Sequence, residues 1–432
     1  MENLKNLIYA VATIIPVLLW GCSPGRVLPE RSPRIDLRGL RASGDGALVN
    51  ARDQVTRIAN IPVSLPDRAF LVATTKSGST TLAALDLSNG TMVPIVTRPS
   101  SEMDVILASG QTAYLAREGT DPGKNYIDIL DLKQGEAHRL KPANGYAILG
   151  FILGPGPSDL TYAEIDMPDS RSRKAQWRSC YANLDTGESR TALNSKSGKR
   201  AEEAIPVPFG WSPATGEIYF RGLLPFRAMT HDGIWAMKPD DSSPKPLLAE
   251  SAYTGERPQF SPDGTRLAYL STNVDTLPAD YLRASGAPPG NVLVVMNLVS
   301  GEKKTIEEKK DAAFGCFRWS ASGNRILAAH REWKDRRFSD RALMAGAADQ
   351  SFQMNNLALA VSPKATVTDL GECDGGPLLW VEKDDGGARL YSSNASSNKT
   401  TLLAIPDGDI RLIGCLQKGK DATPAKRGRG DL

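Results

Sequence analysis

The sequence predicts an all-β fold, a β-propeller of four-stranded antiparallel sheets, and two recurring patterns carry this prediction. The first is a tight turn between two apolar strands, clearest at Pro258–Leu270, where Ser-Pro-Asp-Gly follows Phe260. Proline fixes φ for such a turn, aspartate bonds the local backbone and glycine accepts a positive φ. The turn returns near Trp211 and Trp319, at intervals of 260 − 211 = 49 and 319 − 260 = 59 residues.

The second pattern lies between copies of the first and consists of a strand, a turn rich in Gly, Asp, Asn or Ser, and another strand. Short connections of this composition are typical of β-hairpins. The pattern occurs at Leu85–Pro94, Ile129–Gly135, Tyr181–Glu188 and Val295–Glu302. Each repeat of about 50 residues therefore supplies about four strands, which is typical of a propeller blade.

Counting the copies predicts seven blades, and six or eight remain open because the first and last copies are faint. The predicted starts are Leu65, Leu107, Leu153, Trp211, Phe260, Trp319 and Trp380. A propeller closes its ring because an open sheet edge invites aggregation. We expect an N-terminal strand near Gln54–Ala59 to complete the last blade.

These repeats resemble the TolB-type propeller repeats of bacteria, which are similar to WD repeats in layout. The Ser-Pro-Asp-Gly turn and the Asp-x-x-x-Gly hairpin carry the resemblance, which extends over roughly residues 55–416. TolB has a separate α/β domain before its propeller, and the stretch from Ser23 to about Val55 is too short for that domain. The resemblance therefore implies the fold and, less directly, a bacterial envelope compartment, without transferring TolB's role.

Residues 1–21 differ from the rest of the chain because Leu7–Trp20 is almost wholly apolar. An apolar run of this length after a short polar start is typical of a secretory signal peptide. The segment Leu19–Cys22 resembles a bacterial lipoprotein signal, which implies that Cys22 is lipidated and becomes the mature N-terminus. An ordinary signal peptide or an uncleaved anchor is the alternative. The residue after Cys22 is Ser23 and not aspartate. In lipoproteins of diderm bacteria, which this segment resembles, that implies sorting to the outer membrane.

The predicted organisation is a signal peptide at 1–21, a lipid-anchored linker at 22–54, the propeller at 55–416 and a tail at 417–432. The tail has no apolar periodicity, so we expect it to be disordered. We expect a protein secreted to the cell envelope and lipid-anchored in the outer membrane, facing the periplasm. The net charge of +3 over 432 residues implies no general attraction to nucleic acid or to membranes.

Four cysteines besides Cys22 stand at widely separated positions: Cys180, Cys316, Cys373 and Cys415. An oxidising compartment permits two disulfides among them, with a pairing that the spacing does not fix. Buried thiols that act as small apolar side chains are the alternative. The absence of Cys-x-x-Cys disfavours zinc and redox motifs.

Signs of catalysis are few in this sequence. It contains no His-Glu-x-x-His, no phosphate-binding loop, no Gly-x-Gly-x-x-Gly after a strand and no Gly-x-Ser-x-Gly elbow. We expect the three histidines, His138, His231 and His330, to be structural side chains. Turn chemistry explains carboxylates such as Asp263, so we expect no metal and no cofactor.

The blade pattern is interrupted at residues 167–178, 273–291 and 330–350, where cations stand among aromatic residues. Loops carry function on rigid scaffolds, and Arg and Trp are enriched at interaction hot spots. We predict that the first and third segments share one face and bind a partner, and solvated charge on long hairpins is the alternative interpretation. The candidate binding residues are Arg171, Arg173, Lys174, Trp177, Arg178, Arg331, Trp333, Lys334, Arg336 and Arg337.

These patterns favour a non-enzymatic scaffold that binds an envelope protein, a peptide or a glycan through its face loops. Nucleic acid is not an expected partner because cations and aromatic residues interleave too sparsely. The alternative is an envelope enzyme, such as a propeller glycosidase or lyase, with carboxylates along the central channel. Two carboxylates, or a His/Asp pair, converging at one channel mouth would distinguish the enzyme from the scaffold.

Overall fold

A computed structural model of the chain describes the propeller and leaves both termini outside the described residues. The predicted signal peptide, Cys22 and the predicted tail beyond Gln417 therefore remain predictions. None of the helices in the described part is both long and apolar enough to cross a membrane. The described residues are 49–50, 55–60, 65–66 and 68–417, with gaps at 100–103, 109–110, 118–124, 133–134, 143–144, 155–157, 167–175, 187, 195–204, 224–232, 242–243, 249–256, 285–289, 336, 349–351, 374 and 394–398.

The described strands form seven antiparallel sheets, which we call blades and number from the first sheet along the chain. Blade 1 contains β3 (Arg68–Lys76), β4 (Ser79–Asp86), β5 (Met92–Arg98) and β30 (Asp409–Gln417); blade 2 contains β6 (Asp104–Ala108), β7 (Gln111–Arg117), β8 (Asn125–Asp131) and β9 (Glu136–Leu140); blade 3 contains β10 (Tyr146–Leu153), β11 (Asp159–Asp166), β12 (Trp177–Asn183) and β13 (Glu188–Asn194). Blade 4 contains β14 (Ile205–Ser212), β15 (Glu217–Leu223), β16 (Ile234–Met237) and β17 (Lys245–Leu248); blade 5 contains β18 (Gln259–Phe260), β19 (Arg266–Ser271), β20 (Val292–Asn297) and β21 (Lys303–Glu307). Blade 6 contains β22 (Ala312–Trp319), β23 (Arg325–Lys334), β24 (Arg337–Ala347) and β25 (Met354–Ala360); blade 7 contains β26 (Thr366–Glu372), β27 (Leu378–Asp384), β28 (Gly387–Ser393) and β29 (Lys399–Pro406).

The predicted β-propeller of four-stranded antiparallel sheets is confirmed. Buried apolar side chains gather in seven clusters, each made of residues from two neighbouring blades. The core is therefore divided among the seams between blades, because each sheet buries both faces against its neighbours. Two predicted starts do not lie at the end of an innermost strand: Leu65 precedes β3, the second strand of blade 1, and Trp380 lies in β27, the second strand of blade 7.

The ring closes through the C-terminal part of the chain. Strand β30 is the innermost strand of blade 1 and pairs with β3 from Arg68↔Gln417 to Thr75↔Asp409. The expectation that Gln54–Ala59 would complete the last blade was wrong. Residues 55–59 lie in β2 (Val55–Asn60), which pairs with β9 at the outer edge of blade 2, and Gln54 lies outside the described residues.

The N-terminal strands cover the outer edges of two blades. Strand β2 is the fifth strand of blade 2, and β1 (Val49–Asn50) pairs with β13 as the fifth strand of blade 3. An exposed outer strand presents unpaired backbone groups that can recruit other chains. The segment before the ring therefore protects two of these edges.

The two faces of the ring carry different connections. Innermost strands all run in one direction, so the links between first and second strands and between third and fourth strands fall on one face, the turn face. The links between second and third strands and from each blade to the next fall on the other face, the loop face. Turn-face links are hairpins such as Ser261–Thr265, where the N–H of Gly264, with φ of 67°, donates to the Ser261 carbonyl at 2.8 Å. Loop-face links include the long segment 272–291.

The aromatic residues of the repeated turn occupy equivalent positions. Trp211, Phe260 and Trp319 pair in register with residues seven positions later: Ile218, Leu267 and Ile326. Trp319 is buried, and its Nε1 donates to the Gln259 carbonyl of blade 5 at 3.0 Å. Trp211 and Phe260 are half-buried and pack on the core clusters of their seams.

Close seams explain a glycine in an innermost strand. A Cβ at Gly210 would lie 2.0 Å from Cε2 of Phe260, so the ring of blade 5 rests directly on the backbone of blade 4. The turns nest in the same way, since a Cβ at Gly264 would lie 2.3 Å from Cδ of Pro213. Blade 4 thus uses its repeated turn and a glycine to fit closely against blade 5.

One of the two disulfides that the sequence permits is present. Cys373 and Cys415 are bonded with their Cα atoms 5.7 Å apart, which links blade 7 to the closing strand β30. Cys180 and Cys316 keep their thiols. Burial raises the pKa of the Cys180 thiol to about 12, so it stays protonated and behaves as a small apolar side chain.

Replacing Trp319 tests the alignment of the repeats. Trp319→Ala should lower the free energy of unfolding by about 3–5 kcal/mol, because it empties a buried site and removes an inter-blade hydrogen bond. Trp211→Ala and Phe260→Ala should cost less, since both side chains are half-buried. Urea unfolding measures all three variants, and losses below about 1 kcal/mol for every one would contradict the proposed equivalence.

Candidate partner-binding face

A two-stranded ribbon projects from blade 6 on the loop face. Strand β22 begins at Ala312, opposite Glu332, so β23 continues beyond its inner neighbour. Strand β24 likewise extends beyond β25, whose last residue pairs with Ala342. The positions that project from the sheet form the ribbon, Trp333–Arg341, of which 336 is not described.

Aromatic packing fixes this ribbon to the helix α1 (Ala279–Ala284), which lies in the segment between β19 and β20. Trp333 and Phe338 are paired across the ribbon with ring centroids 5.0 Å apart. Both rings meet the buried ring of Tyr281, at 5.2 and 5.4 Å, in edge-on arrangements. Such aromatic pairs contribute about 0.5–1.5 kcal/mol each beyond the burial of area. Nε1 of Trp333 also donates to both carboxylate oxygens of Asp280 at 3.1 Å.

A short segment between blades 5 and 6, residues 308–311, ties the ribbon and the helix segment together. The N–H of Trp333 donates to the Asp311 carbonyl at 2.8 Å, and the N–H of Asp311 donates to the Thr276 carbonyl at 3.2 Å. Asp311 has φ of 64°, a conformation that non-glycine residues adopt rarely and that its bonded neighbours hold in place. We call residues 273–284, 308–311 and 330–341 the ribbon unit.

A histidine between two glutamates lies at the base of the ribbon. Nδ1 of His330 lies 3.3 Å from Oε1 of Glu308, and Nε2 lies 3.6 Å from Oε1 of Glu332. The Glu308 side chain is 7% exposed, and the imidazole provides a polar partner for this buried carboxylate. The hydrogen bond with Glu308 raises the pKa of His330 above the ordinary value of 6.5, against the opposing effect of burial. The expectation of a structural histidine fits this arrangement.

The candidate residues of the ribbon differ in what they offer to a partner. Lys334 and Arg337 are exposed and face each other across the ribbon end. Trp333 is half-buried against Tyr281, and Nε of Arg331 is bound to Oδ1 of Asp340 at 2.9 Å. Two of the four therefore carry exposed charge, while the other two hold the ribbon in shape. Arg336 lies outside the described residues.

The candidate residues of blade 3 are less available than expected. Trp177 is 4% exposed, within the cluster between blades 3 and 4, so this tryptophan is a core residue and not part of a binding surface. Arg178 is bound to the fully buried carboxylate of Glu164 and lies over the ring of Tyr146. Arg171, Arg173 and Lys174 lie outside the described residues.

The strand ends that flank the two predicted segments lie on the same face. Strand β11 ends at Asp166 and β12 begins at Trp177, while β23 ends at Lys334 and β24 begins at Arg337. In both blades these are the adjoining ends of the second and third strands, which lie at the loop face. Sequence reasoning missed the pairing of Trp333 with Phe338 and the roles of Glu308 and Asp311. The sequence signal that could have shown the ribbon was the alternation of residues along two unusually long strands, β23 and β24.

A polar cluster between blades 6 and 7 contains residue types that also serve catalysis. The Glu382 carboxylate is 1% exposed and accepts hydrogen bonds from Ser362, from Lys399 and from Nε1 of Trp380. Nζ of Lys399 forms an ion pair with Oε1 of Glu382, and the Ser362 hydroxyl donates to the same carboxylate. This arrangement compensates a buried charge, and Nζ of Lys399 also lies 3.5 Å from the Ser362 hydroxyl. Within the described residues, no group of three or more potential ligands is placed to hold a metal.

Comparison with known proteins supports the propeller. No protein-family model and no curated protein matches the chain. Among solved structures it is similar to a puromycin hydrolase, with a TM-score of 0.51, 13% identity, and coverage of 81% of this chain and 54% of that one. It is also similar to a putative 6-phosphogluconolactonase from Bacteroides uniformis, with a TM-score of 0.47, 12% identity, and coverage of 81% and 100%. It is similar as well to the β-propeller domain of the Trilobed protease from Pyrococcus furiosus, with a TM-score of 0.44, 12% identity, and coverage of 70% of this chain and 84% of that one. At these identities the likeness shows the fold alone.

The pair of His330 with Glu308 predicts a pH-dependent stability. Because the pKa of His330 is raised in the folded state, its contribution is complete below about pH 6.5 and is lost as pH rises through the folded-state pKa. The free energy of unfolding should therefore fall by about 1 kcal/mol more in the wild type than in Glu308→Gln between about pH 5.5 and 8.5. Urea titrations at both pH values measure this.

Glu332→Gln is the matched control for this test. Its side chain is 57% exposed, so most of the pH dependence should survive the substitution. An identical pH dependence in the wild type and Glu308→Gln would contradict the assignment.

Proposed function

We propose that this protein is a lipid-anchored scaffold of the bacterial envelope, similar in kind to the TolB-type propeller proteins, that binds a protein or peptide partner through its loop face. Cys22 is the proposed anchor, and the partner surface is the ribbon unit of blades 5 and 6. In this proposal the ring supplies rigidity and the loop face supplies recognition.

The observation that carries the proposal is the fixed geometry of the ribbon unit. Three separate connections of the loop face are joined by the Tyr281, Trp333 and Phe338 rings and by the hydrogen bonds of Asp311. A partner that binds to a rigid surface loses less conformational entropy than one that must order mobile loops. A protein that served only as a spacer would have no use for a rigid unit of this kind on one face.

The chemistry of the exposed side chains favours a partner of mixed charge. Glu332, Lys334, Asp335 and Arg337 are exposed together at the end of the ribbon. Alternating charges give selective pairing and a faster encounter with a complementary surface, without general attraction to anions. A protein or peptide with its own charge pattern fits this surface better than a uniformly charged polymer.

The disulfide supports the proposed compartment. Disulfides persist in oxidising environments and are rare in the cytosol. Cys373–Cys415 is therefore consistent with export, which is also what the apolar segment before Cys22 predicts. Anchoring at Cys22 would hold the ring near the membrane while β1 and β2 lie along its outer edge.

Site-directed photo-crosslinking in cells tests the proposal. A photoreactive amino acid replaces Lys334 or Arg337 on the loop face, and Ser300 on the turn face is the matched control because it is also exposed. We expect one adduct of defined mass from both loop-face positions and none from Ser300. The same adduct should weaken when Cys22→Ser releases the protein from the membrane. Adducts from Ser300 alone, or equally from all three positions, would contradict the proposed face.

A further inference from the structure

An ion pair crosses the mouth of the central channel on the loop face. Nη1 of Arg257 lies 3.6 Å from Oδ1 of Asp104. Asp104 is the first residue of β6 in blade 2, and Arg257 stands two residues before β18 in blade 5. Innermost strands surround the channel and begin at the loop face, and blades 2 and 5 are not neighbours in the ring. The two side chains therefore meet across the opening.

This cross-channel pair is weak and accessible to solutes. Its separation exceeds that of a charge-assisted hydrogen bond, which lies near 2.8 Å. The side chains of Arg257 and Asp104 are 39% and 32% exposed. Exposed pairs of this kind contribute at most about 1 kcal/mol to stability, so a ligand can exchange for either partner at little cost.

Deeper in the ring, two arginines of the innermost strands, Arg318 and Arg411, lie near one shared carboxylate, that of Asp369. The Asp369 carboxylate is already occupied by Nη2 of Arg318 at 3.1 Å and by the N–H groups of Leu412 and Leu370 at 2.7 and 2.9 Å. Burial raises the pKa of Asp369, and the nearby charges of Arg318 and, to a smaller extent, Arg411 oppose this rise. Among the described residues, no side chain forms a hydrogen bond or ion pair with the Arg411 guanidinium.

Arg411 stands close to the channel mouth. It is the third residue of β30, so its Cα lies roughly 7 Å along the strand from the loop-face end. The first residue of that strand, Asp409, is paired with Nζ of Lys383 at 3.1 Å and does not neutralise it. The mouth therefore has one cation held by Asp104 and another without a carboxylate of its own.

We propose that the loop-face mouth of the channel binds a small anion with two or more negative charges, such as a polycarboxylate or a phosphate. Arg257 binds the ligand through its planar guanidinium, which matches carboxylate and phosphate geometry. Arg411 stabilises the remaining charge from below. Asp104 is a built-in competitor that holds Arg257 in the empty site and must be displaced by the ligand.

Competition by Asp104 gives the proposal a distinctive consequence. Removing the Asp104 charge should tighten anion binding, because Arg257 then loses its internal counter-ion and the repulsion on the ligand disappears. Removing the Arg257 charge should weaken it. A surface that attracted anions only through its overall charge would respond far less to either change.

Isothermal titration calorimetry at constant ionic strength tests the site, with citrate and inorganic phosphate as separate probes that distinguish a carboxylate ligand from a phosphate. We expect Asp104→Asn to lower the dissociation constant at least about fivefold for the preferred anion, and Arg257→Gln to raise it at least about tenfold. Unchanged or weaker binding by Asp104→Asn would overturn the proposal. So would Arg257→Gln within about twofold of the wild type, or no heat from either anion up to about 10 mM.

Two further variants separate binding from folding and from the partner surface. If Arg257→Gln does not fold, Arg257→Lys replaces it. This variant should bind the anion more weakly than the wild type, but still measurably, because lysine keeps the charge and loses the bidentate geometry. Lys334→Ala, in the ribbon unit, should leave anion binding unchanged. Loss of anion binding in Lys334→Ala would contradict a separate channel site, whatever the outcome for the proposed partner surface.

Discussion

The whole structure depends on the joint at which the two ends of the ring meet. Six seams join blades that follow one another along the chain, whereas the seventh joins blade 7 to a blade completed by β30. Several contacts hold β30 there: the ladder to β3, the Cys373–Cys415 disulfide, and the N–H of Leu412 bound to Asp369. If this strand leaves, blade 1 loses its innermost strand and the apolar clusters on both of its faces lose part of their lining.

The other seams explain why one face of the ring carries the candidate sites. On the turn face, Pro213 rests on Gly264 and Pro262 rests on Gly323, so each turn is shaped by the turn of the next blade. Arg266 reinforces this contact by donating to the Gly323 carbonyl at 2.7 Å. Inserted residues would break such nesting. The loop face of blades 5 and 6 carries the long segment 272–291 and the ribbon, and the part of it that the structure describes shows no turn-on-turn nesting of this kind.

Local patterns in the sequence were sufficient to predict the fold, because each blade is encoded by a turn and a hairpin that repeat within about 50 residues. Ring closure was mispredicted, because pairing of β30 with β3 joins residues more than 300 positions apart and leaves no local pattern. The site was predicted in part. Lys334 and Arg337 are exposed as expected, but Trp177, the first residue of β12, lies in the core. A tryptophan beside cations has the same appearance in sequence whether it packs inward or outward.

The most direct test of this account is the stability of the closing joint. The disulfide spans a sequence separation of 42 residues, and a loop of that length is worth about 4 kcal/mol. Reduction should lower the free energy of unfolding of the wild type by that order and should first increase amide hydrogen exchange in β30 and β3. The Cys373→Ser/Cys415→Ser double variant should not respond to reductant. An unchanged stability on reduction, or an exchange increase that begins in another blade, would contradict the claim that the ring is held at this joint.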